Sequence, residues 1–131
     1  MAGKIVADTL EHSTAGSIAT NYVVEGSAKA WVNFDGTGTI ASRDSLNVSS
    51  LTDNGTGDYT VNLTNNINNV NYCVTGGTGY AYGNNGALDS NCQPYDFTTS
   101  LFDLSVGVFN SGGASARDHG IVTASTHGDL A

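Results

Sequence analysis

The 131-residue sequence has few residues of the types that mark several common protein classes. Four lysines and arginines stand against 12 aspartates and glutamates, and the formal net charge of −8 offers no basic surface for nucleic acid or for an anionic membrane. No apolar run approaches the roughly twenty residues of a membrane-spanning helix, and Met1 to Lys4 lacks the apolar core of a signal peptide. We therefore expect a protein made and folded in a cytoplasm, without nucleic-acid binding or membrane insertion.

Helix-forming residues are also scarce, and the chain has a single proline. Charged residues make up only 12% of the sequence, and Gly, Asn, Ser and Thr fill the polar positions instead. Threonine suits a pleated sheet, while glycine and asparagine suit turns. Short alternating segments recur about every ten residues, which predicts an all-β fold, an antiparallel β-sandwich or small barrel of about seven to nine short strands.

The segment 28–72 carries the clearest strand pattern. In Ala28 to Phe34 alternate side chains are apolar, and Trp31 falls on the opposite face, as in a half-buried strand. Asp35 to Gly38 then predicts a turn. Further on, Asn54-Gly55 separates two alternating runs, which predicts a hairpin that pairs roughly residues 44–51 with 59–64. Leu51 breaks the alternation of the first run, so we expect a β-bulge or a strand end near residues 49–50.

This segment also resembles a known family. Its sequence AKAWVNFDGTGTIASRDSLNVSSLTDNGTGDYTVNLT closely resembles a segment that recurs in tail-fibre-like virion proteins of tailed, especially marine, bacteriophages. The resemblance covers about a third of the chain, with a looser similarity in KIVADTLEHSTAGS near the start, and nothing beyond Tyr72 shares it. It implies a β-domain on the phage particle, without enzymatic activity and often trimeric.

The resemblance leaves several roles open. We expect a non-enzymatic virion surface protein, a tail-fibre-like adhesion module that forms a homotrimer and contacts other virion proteins, and that binds a host glycan or receptor. A capsid decoration protein on the phage head is the alternative, because the chain is short and has no long fibrous shaft. A carbohydrate-binding, lectin-like domain or a small glycan hydrolase are more remote alternatives.

The sequence divides into two regions. Residues 1–26 hold two short strand candidates, Lys4 to Ala7 and Asn21 to Val24, with too little apolar content for a core. We interpret them as an N-terminal arm that packs against other subunits or virion proteins, or else as edge strands of the same sheet, and residues 27–131 as a single β-domain. In that domain we also expect a strand at residues 70–74 that Gly76 to Gly79 breaks, a central core strand within residues 97–109, and a last strand at 120–125.

The irregular stretch from Tyr80 to Tyr95 is the best candidate for binding. Loops on a rigid scaffold often bind ligands, tyrosine rings can stack on sugar faces, and amides can bridge sugar hydroxyls. The candidate glycan-binding residues are Tyr80, Tyr82, Asn84, Asn85 and Tyr95. The alternative is that these tyrosines are half-buried in a sheet and the asparagines fill turns.

No motif for a catalytic, metal or cofactor site is present. The histidines His12, His119 and His127 lie in separate segments without ligand spacing, so we expect solvated loop residues. Asp118 precedes His119, but no nucleophile motif accompanies them. Cys73 and Cys92 lack zinc-site spacing, and we expect two reduced thiols, one facing the core, with a disulfide formed after release from the cell as the alternative.

Overall fold

A computed structural model describes residues 3, 5–79, 90–110 and 112–131. Within these ranges the chain forms eleven strands and one short helix, which confirms the all-β prediction with more strands than expected. In chain order the elements are β1 (Thr9–His12), β2 (Gly16–Ala19), α1 (Thr20–Gly26), β3 (Ala30–Asp35), β4 (Ala41–Leu46), β5 (Val48–Gly55), β6 (Asp58–Leu63), β7 (Cys73–Gly79), β8 (Ser90–Tyr95), β9 (Leu101–Asn110), β10 (Gly113–Ala116) and β11 (Ile121–His127).

Two antiparallel sheets build the domain. One sheet has the strand order β4-β3-β11-β7, and the other runs β10-β9-β6-β5 with β8 also paired to β9. Strand β8 pairs with residues 103–108 of β9. Strand β6 pairs with residues 101–105 of β9 and β10 with residues 107–110, so both ranges overlap the one that pairs with β8. A strand has two edges, so β8 occupies one edge of β9 while β6 and β10 share the other. The long strand β9 is therefore the centre of its sheet, as predicted for residues 97–109.

The core lies between the two sheets. Strands β3 and β6 both alternate between buried and half-buried side chains, so the predicted inward faces of these strands are confirmed. Phe34 of β3 and Tyr59 of β6 meet across the sheets in an edge-to-face contact with ring centroids 5.2 Å apart. The buried apolar residues are Ala30, Val32, Phe34, Tyr59, Val61, Leu63, Ile67, Tyr72, Phe102, Leu104, Val106, Val122 and Ala124.

The predicted hairpin is present, but its first boundary was wrong. Strand β5 pairs with β6, with a register shift between Val48 and Ser50 where a bulge was expected. Residues 44–46 belong instead to β4, which pairs with β3 in the other sheet. The chain changes sheets at Asn47, which has a positive φ of 57° and whose side chain accepts a hydrogen bond from the Asn65 N–H at 2.7 Å. Asparagine tolerates this left-handed conformation better than most residues.

The glycine-rich run after Val74 was predicted to break a strand, and that prediction was wrong. Gly76 to Gly79 lie within β7 and pair with β11. A Cβ on Gly76 would lie 2.5 Å from the Cys92 sulfur, so the glycine allows a close approach of β8 to β7. Val70, expected in this strand, is exposed in the preceding loop.

The N-terminal arm also differs from expectation. Among the residues that the structure describes, strands β1 and β2 pair only with each other in a separate two-stranded sheet. Asn21 to Val24, predicted as a strand, lie in α1. Lys4 is outside the described residues, and Ile5 to Ala7 have no regular structure. In the part of the chain that is described, no helix is long and apolar enough to span a membrane.

Candidate functional site

Most of the predicted glycan-binding loop cannot be placed. Tyr80, Tyr82, Asn84 and Asn85 all lie outside the described residues. Their role in glycan binding therefore stays a prediction.

Tyr95, the fifth candidate, lies at the end of β8 rather than in a loop. Its hydroxyl donates a hydrogen bond to the carboxylate of Asp58 at the start of β6. This hydrogen bond and, to a smaller extent, burial raise the pKa of Tyr95 to about 12. The half-buried ring lines a shallow groove with Gln93, Pro94 and Ser105. Tyr95 thus forms a contact between two strands, as expected for a tyrosine that is half-buried in a sheet.

The segment between β10 and β11 places His119 and Asp118 in contact with the interior of the sandwich. His119 is fully buried, so its prediction as a solvated loop residue was wrong. Burial, followed by the charge of Arg117, lowers the pKa of His119.

The carboxylate of Asp118 accepts hydrogen bonds from the Gly57 N–H and from the Tyr59 hydroxyl, both at 2.7 Å. Asp118 therefore holds the β5–β6 turn and a core tyrosine in place.

The sequence alone does not predict this role of Asp118. Asp118 and Gly57 are 61 positions apart, and no local motif connects a carboxylate with a distant turn. Gly36 completes the cluster: its N–H donates to the His119 carbonyl at 3.0 Å, and a Cβ there would lie 2.5 Å from the Tyr59 hydroxyl oxygen.

The other titratable groups are dispersed. Across residues 5–79, 90–110 and 112–131, no group of three or more His, Cys, Asp or Glu side chains is placed to hold a metal ion. His12 is exposed at the end of β1, and the ring of His127 contacts the Gly26 carbonyl at 3.2 Å. Both cysteines are free thiols, Cys73 exposed and Cys92 packed against the core, where burial raises its pKa to about 11. This arrangement agrees with the interpretation of two thiols of which one faces the core.

The N-terminal arm carries most of the exposed apolar surface. Ten large apolar side chains are exposed among the described residues, and seven of them precede Glu25. On the β1–β2 hairpin, Leu10 and Ile18 are directly paired and each is 46% exposed, so they form one apolar patch. The seven residues are Ile5, Val6, Leu10, Ile18, Tyr22, Val23 and Val24.

The arm joins the sandwich through Lys29. The Lys29 ammonium donates hydrogen bonds to the carbonyls of Val24 and Ser27, and its backbone N–H donates to Thr126 at 2.8 Å. These bonds fix the end of α1 against the start of β3. Beside this junction lies an open cleft of about 780 Å³, lined in part by the exposed side chains of Leu46 and Leu130. The apolar surface of the arm therefore continues onto the end of the sandwich.

Comparisons with known proteins give no further identification. No protein family matches this chain, and no curated protein or solved structure is significantly similar to it.

Proposed function

We propose that this chain is a non-enzymatic surface protein of a bacteriophage virion, a tail-fibre-like module for attachment and adhesion that assembles as a homotrimer. In this proposal the N-terminal arm supplies the contacts to other subunits or virion proteins. The β-sandwich is the rigid part that the particle displays.

The sequence resemblance supports the virion assignment. The similar segment, residues 28–64, contains β3, β4, β5 and β6, which contribute two strands to each sheet. It also contains Gly36, Gly57 and Tyr59, three members of the cluster around Asp118. The resemblance thus extends over residues that hold the two sheets together, rather than over one surface loop.

The apolar arm is the observation that carries the assembly part of the proposal. No residue of α1 is buried, and all residues of β1 are exposed. A segment this apolar gains stability by burying its side chains against a partner, at about 25 cal/mol per Å² of apolar area before the costs of association. Burial of a few hundred Å² per subunit therefore contributes several kcal/mol. Exposed apolar patches of this kind commonly mark protein interfaces.

The location on the particle is tested by cryo-electron microscopy of the parent phage carrying a tagged copy of this chain. Tag density on the tail supports the adhesion role. Density spread over the capsid lattice instead favours decoration of the head. Particles without any tag density contradict the virion assignment itself.

Assembly is tested with the double variant Leu10→Ser/Ile18→Ser. A homotrimer of 13.4 kDa chains has a mass of about 40 kDa, which light scattering coupled to size exclusion measures directly. We expect the wild type at this mass and the variant near that of one chain, with unchanged circular dichroism because neither residue is in the core. Val70→Ser is the matched control, since Val70 is 50% exposed but lies outside the arm. A monomeric wild type, or equal masses for all three proteins, contradicts assembly through the arm.

A further inference from the structure

The outward face of the four-stranded sheet presents the single tryptophan of the chain. Trp31 lies on β3 between two buried residues, so its side chain projects away from the core, where it is half-buried. Antiparallel pairing aligns Trp31 with Ser125 of β11, and Ser125 with Thr75 of β7. An indole ring and two hydroxyl side chains therefore form one row across three strands.

A second polar row follows next to the first. Asn33 of β3 is aligned with Thr123 of β11, which is aligned with Gly77 of β7. The Thr123 hydroxyl donates to the Gly77 carbonyl at 3.3 Å, so its oxygen can still accept a hydrogen bond from a ligand. Because Gly77 has no side chain, the surface is low at this point. Together the two rows line an open groove of about 540 Å³, within the size range of small-ligand sites.

The chemistry of the groove selects its ligand. The five side chains of the two rows carry no charge. Charged groups adjoin them at the β4 edge, where Asp44 is aligned with Asn33 and Arg43 donates to the Asn33 amide oxygen at 3.4 Å. The chain as a whole has a net charge of −8 and repels polyanions. An indole face binds an apolar surface, and hydroxyl and amide groups donate and accept hydrogen bonds. A sugar ring has both features, with C–H groups on its face and hydroxyls at its edge. Strands lie about 4.8 Å apart, so the rows from β3 to β7 extend about 10 Å, long enough for linked sugar rings.

We propose that this groove binds a neutral glycan. One sugar ring stacks on the Trp31 indole, and the hydroxyls of the glycan bind Asn33, Thr75, Thr123 and Ser125. None of these residues belongs to the predicted loop at residues 80–95. It also does not depend on the proposed place of the chain in a virion, because the purified protein alone carries all of these residues.

The test uses tryptophan fluorescence, excited at a wavelength that the six tyrosines do not absorb, so that the emission reports on Trp31 alone. Purified full-length protein is titrated with neutral gluco-, manno- and galacto-oligosaccharides, and with an oligogalacturonate as the anionic control. We expect a saturable change of emission with at least one neutral series and none with the oligogalacturonate. Calorimetry with the same oligosaccharide then compares the variants. Trp31→Ala is expected to weaken binding by about tenfold or more, and Trp31→Phe by less, because a ring remains.

Two further variants complete the test. Thr75→Arg places a long side chain over the groove at an exposed position of β7 and is expected to abolish binding even if Trp31→Ala folds poorly. Tyr22→Ala removes an exposed ring from the arm and is expected to bind like the wild type. The inference is overturned if no neutral oligosaccharide changes the emission, if Trp31→Ala and Thr75→Arg bind normally, or if the anionic probe binds equally well. It is also overturned if Trp31→Ala lowers the oligomeric mass, since a second copy of the chain then covers this face.

Discussion

The close contacts of Gly57 lead to a prediction that separates backbone strain from steric overlap. Gly57 and Gly38 have nearly the same positive φ, 67° and 63°, so alanine costs roughly the same conformational energy at both, about 1–2 kcal/mol. Their surroundings differ: a Cβ on Gly38 meets nothing within 4 Å, whereas one on Gly57 would overlap the Val106 carbonyl oxygen and lie 2.8 Å from the Arg117 nitrogen. The second site is closed by backbone, which cannot move aside as a flexible side chain can.

Relief of this overlap requires a shift of the β5–β6 turn. The shift weakens the hydrogen bond from the Val106 N–H to the Gly57 carbonyl, at 2.7 Å, and the bond from the Gly57 N–H to the Asp118 carboxylate. Each is worth about 1–3 kcal/mol, because the alternative is a buried polar group without a partner. We therefore expect Gly38→Ala to lower the free energy of unfolding by about 1 kcal/mol, after the gain from a stiffer unfolded chain, and Gly57→Ala by about 3–5 kcal/mol.

Urea unfolding followed by circular dichroism measures both variants under identical conditions. The difference between them is the informative quantity, because the strain of positive φ is common to both. Equal losses of stability would show that the turn at Gly57 relaxes freely. The inferred tie between this turn, β9 and Asp118 would then be refuted.

Three further perturbations test the same interior contacts. Tyr59→Phe removes the hydroxyl that bonds the Asp118 carboxylate, and we expect a loss of about 1.5–3 kcal/mol in urea unfolding; an unchanged midpoint would contradict this role. Asn47→Ala should lose more stability than Asn47→Gly, because both remove the hydrogen bonds to Asn65 but only alanine retains the strain of positive φ, about 1–2 kcal/mol; equal losses would count against strain at the change of sheets. Folding lowers the pKa of His119. The stability that depends on its neutral ring is therefore fully present above the ordinary pKa of 6.5 and is lost as the pH falls below that value. Wild-type stability should therefore decline from pH 6.5 to 5 more steeply than that of His119→Gln, and parallel profiles would contradict the prediction.

The alternation of side chains predicted the core strands β3, β6, β9 and β11 but not the assignment of strands to sheets. Residues 44–51 show one nearly continuous strand pattern, yet the chain divides at Asn47 between two sheets. Neither half contains a buried side chain, and Leu46 is exposed, so the period alone cannot tell which neighbour a strand will pair with. The bulge near residues 49–50 was predictable because it interrupts the period itself. Asn47 carries a local signal only in retrospect, as a residue that tolerates positive φ.

Two other predictions failed because tertiary pairing outweighed local preference. Gly76 to Gly79 have little intrinsic tendency to form a strand, but pairing with β11 and the close approach of Cys92 stabilise them in β7. Residues 21–24 are apolar enough for a short strand, yet they follow Thr20, whose N–H and hydroxyl bond the carbonyls of Asp8 and Ala7. These bonds close the β1–β2 hairpin and set the start of α1.

The Trp31 groove could not be predicted from the sequence, although the outward direction of Trp31 was. A period of two fixes which face of its own strand a side chain occupies. It does not say which residues stand beside it, because Ser125 and Thr75 come from strands that are remote in sequence and reach Trp31 only through the order β3-β11-β7. A chain with the same alternation but another strand order would place Trp31 among different neighbours. The proposed glycan specificity is therefore a property of strand order and register, and it is at the positions paired with Trp31 that substitutions should alter which sugar binds.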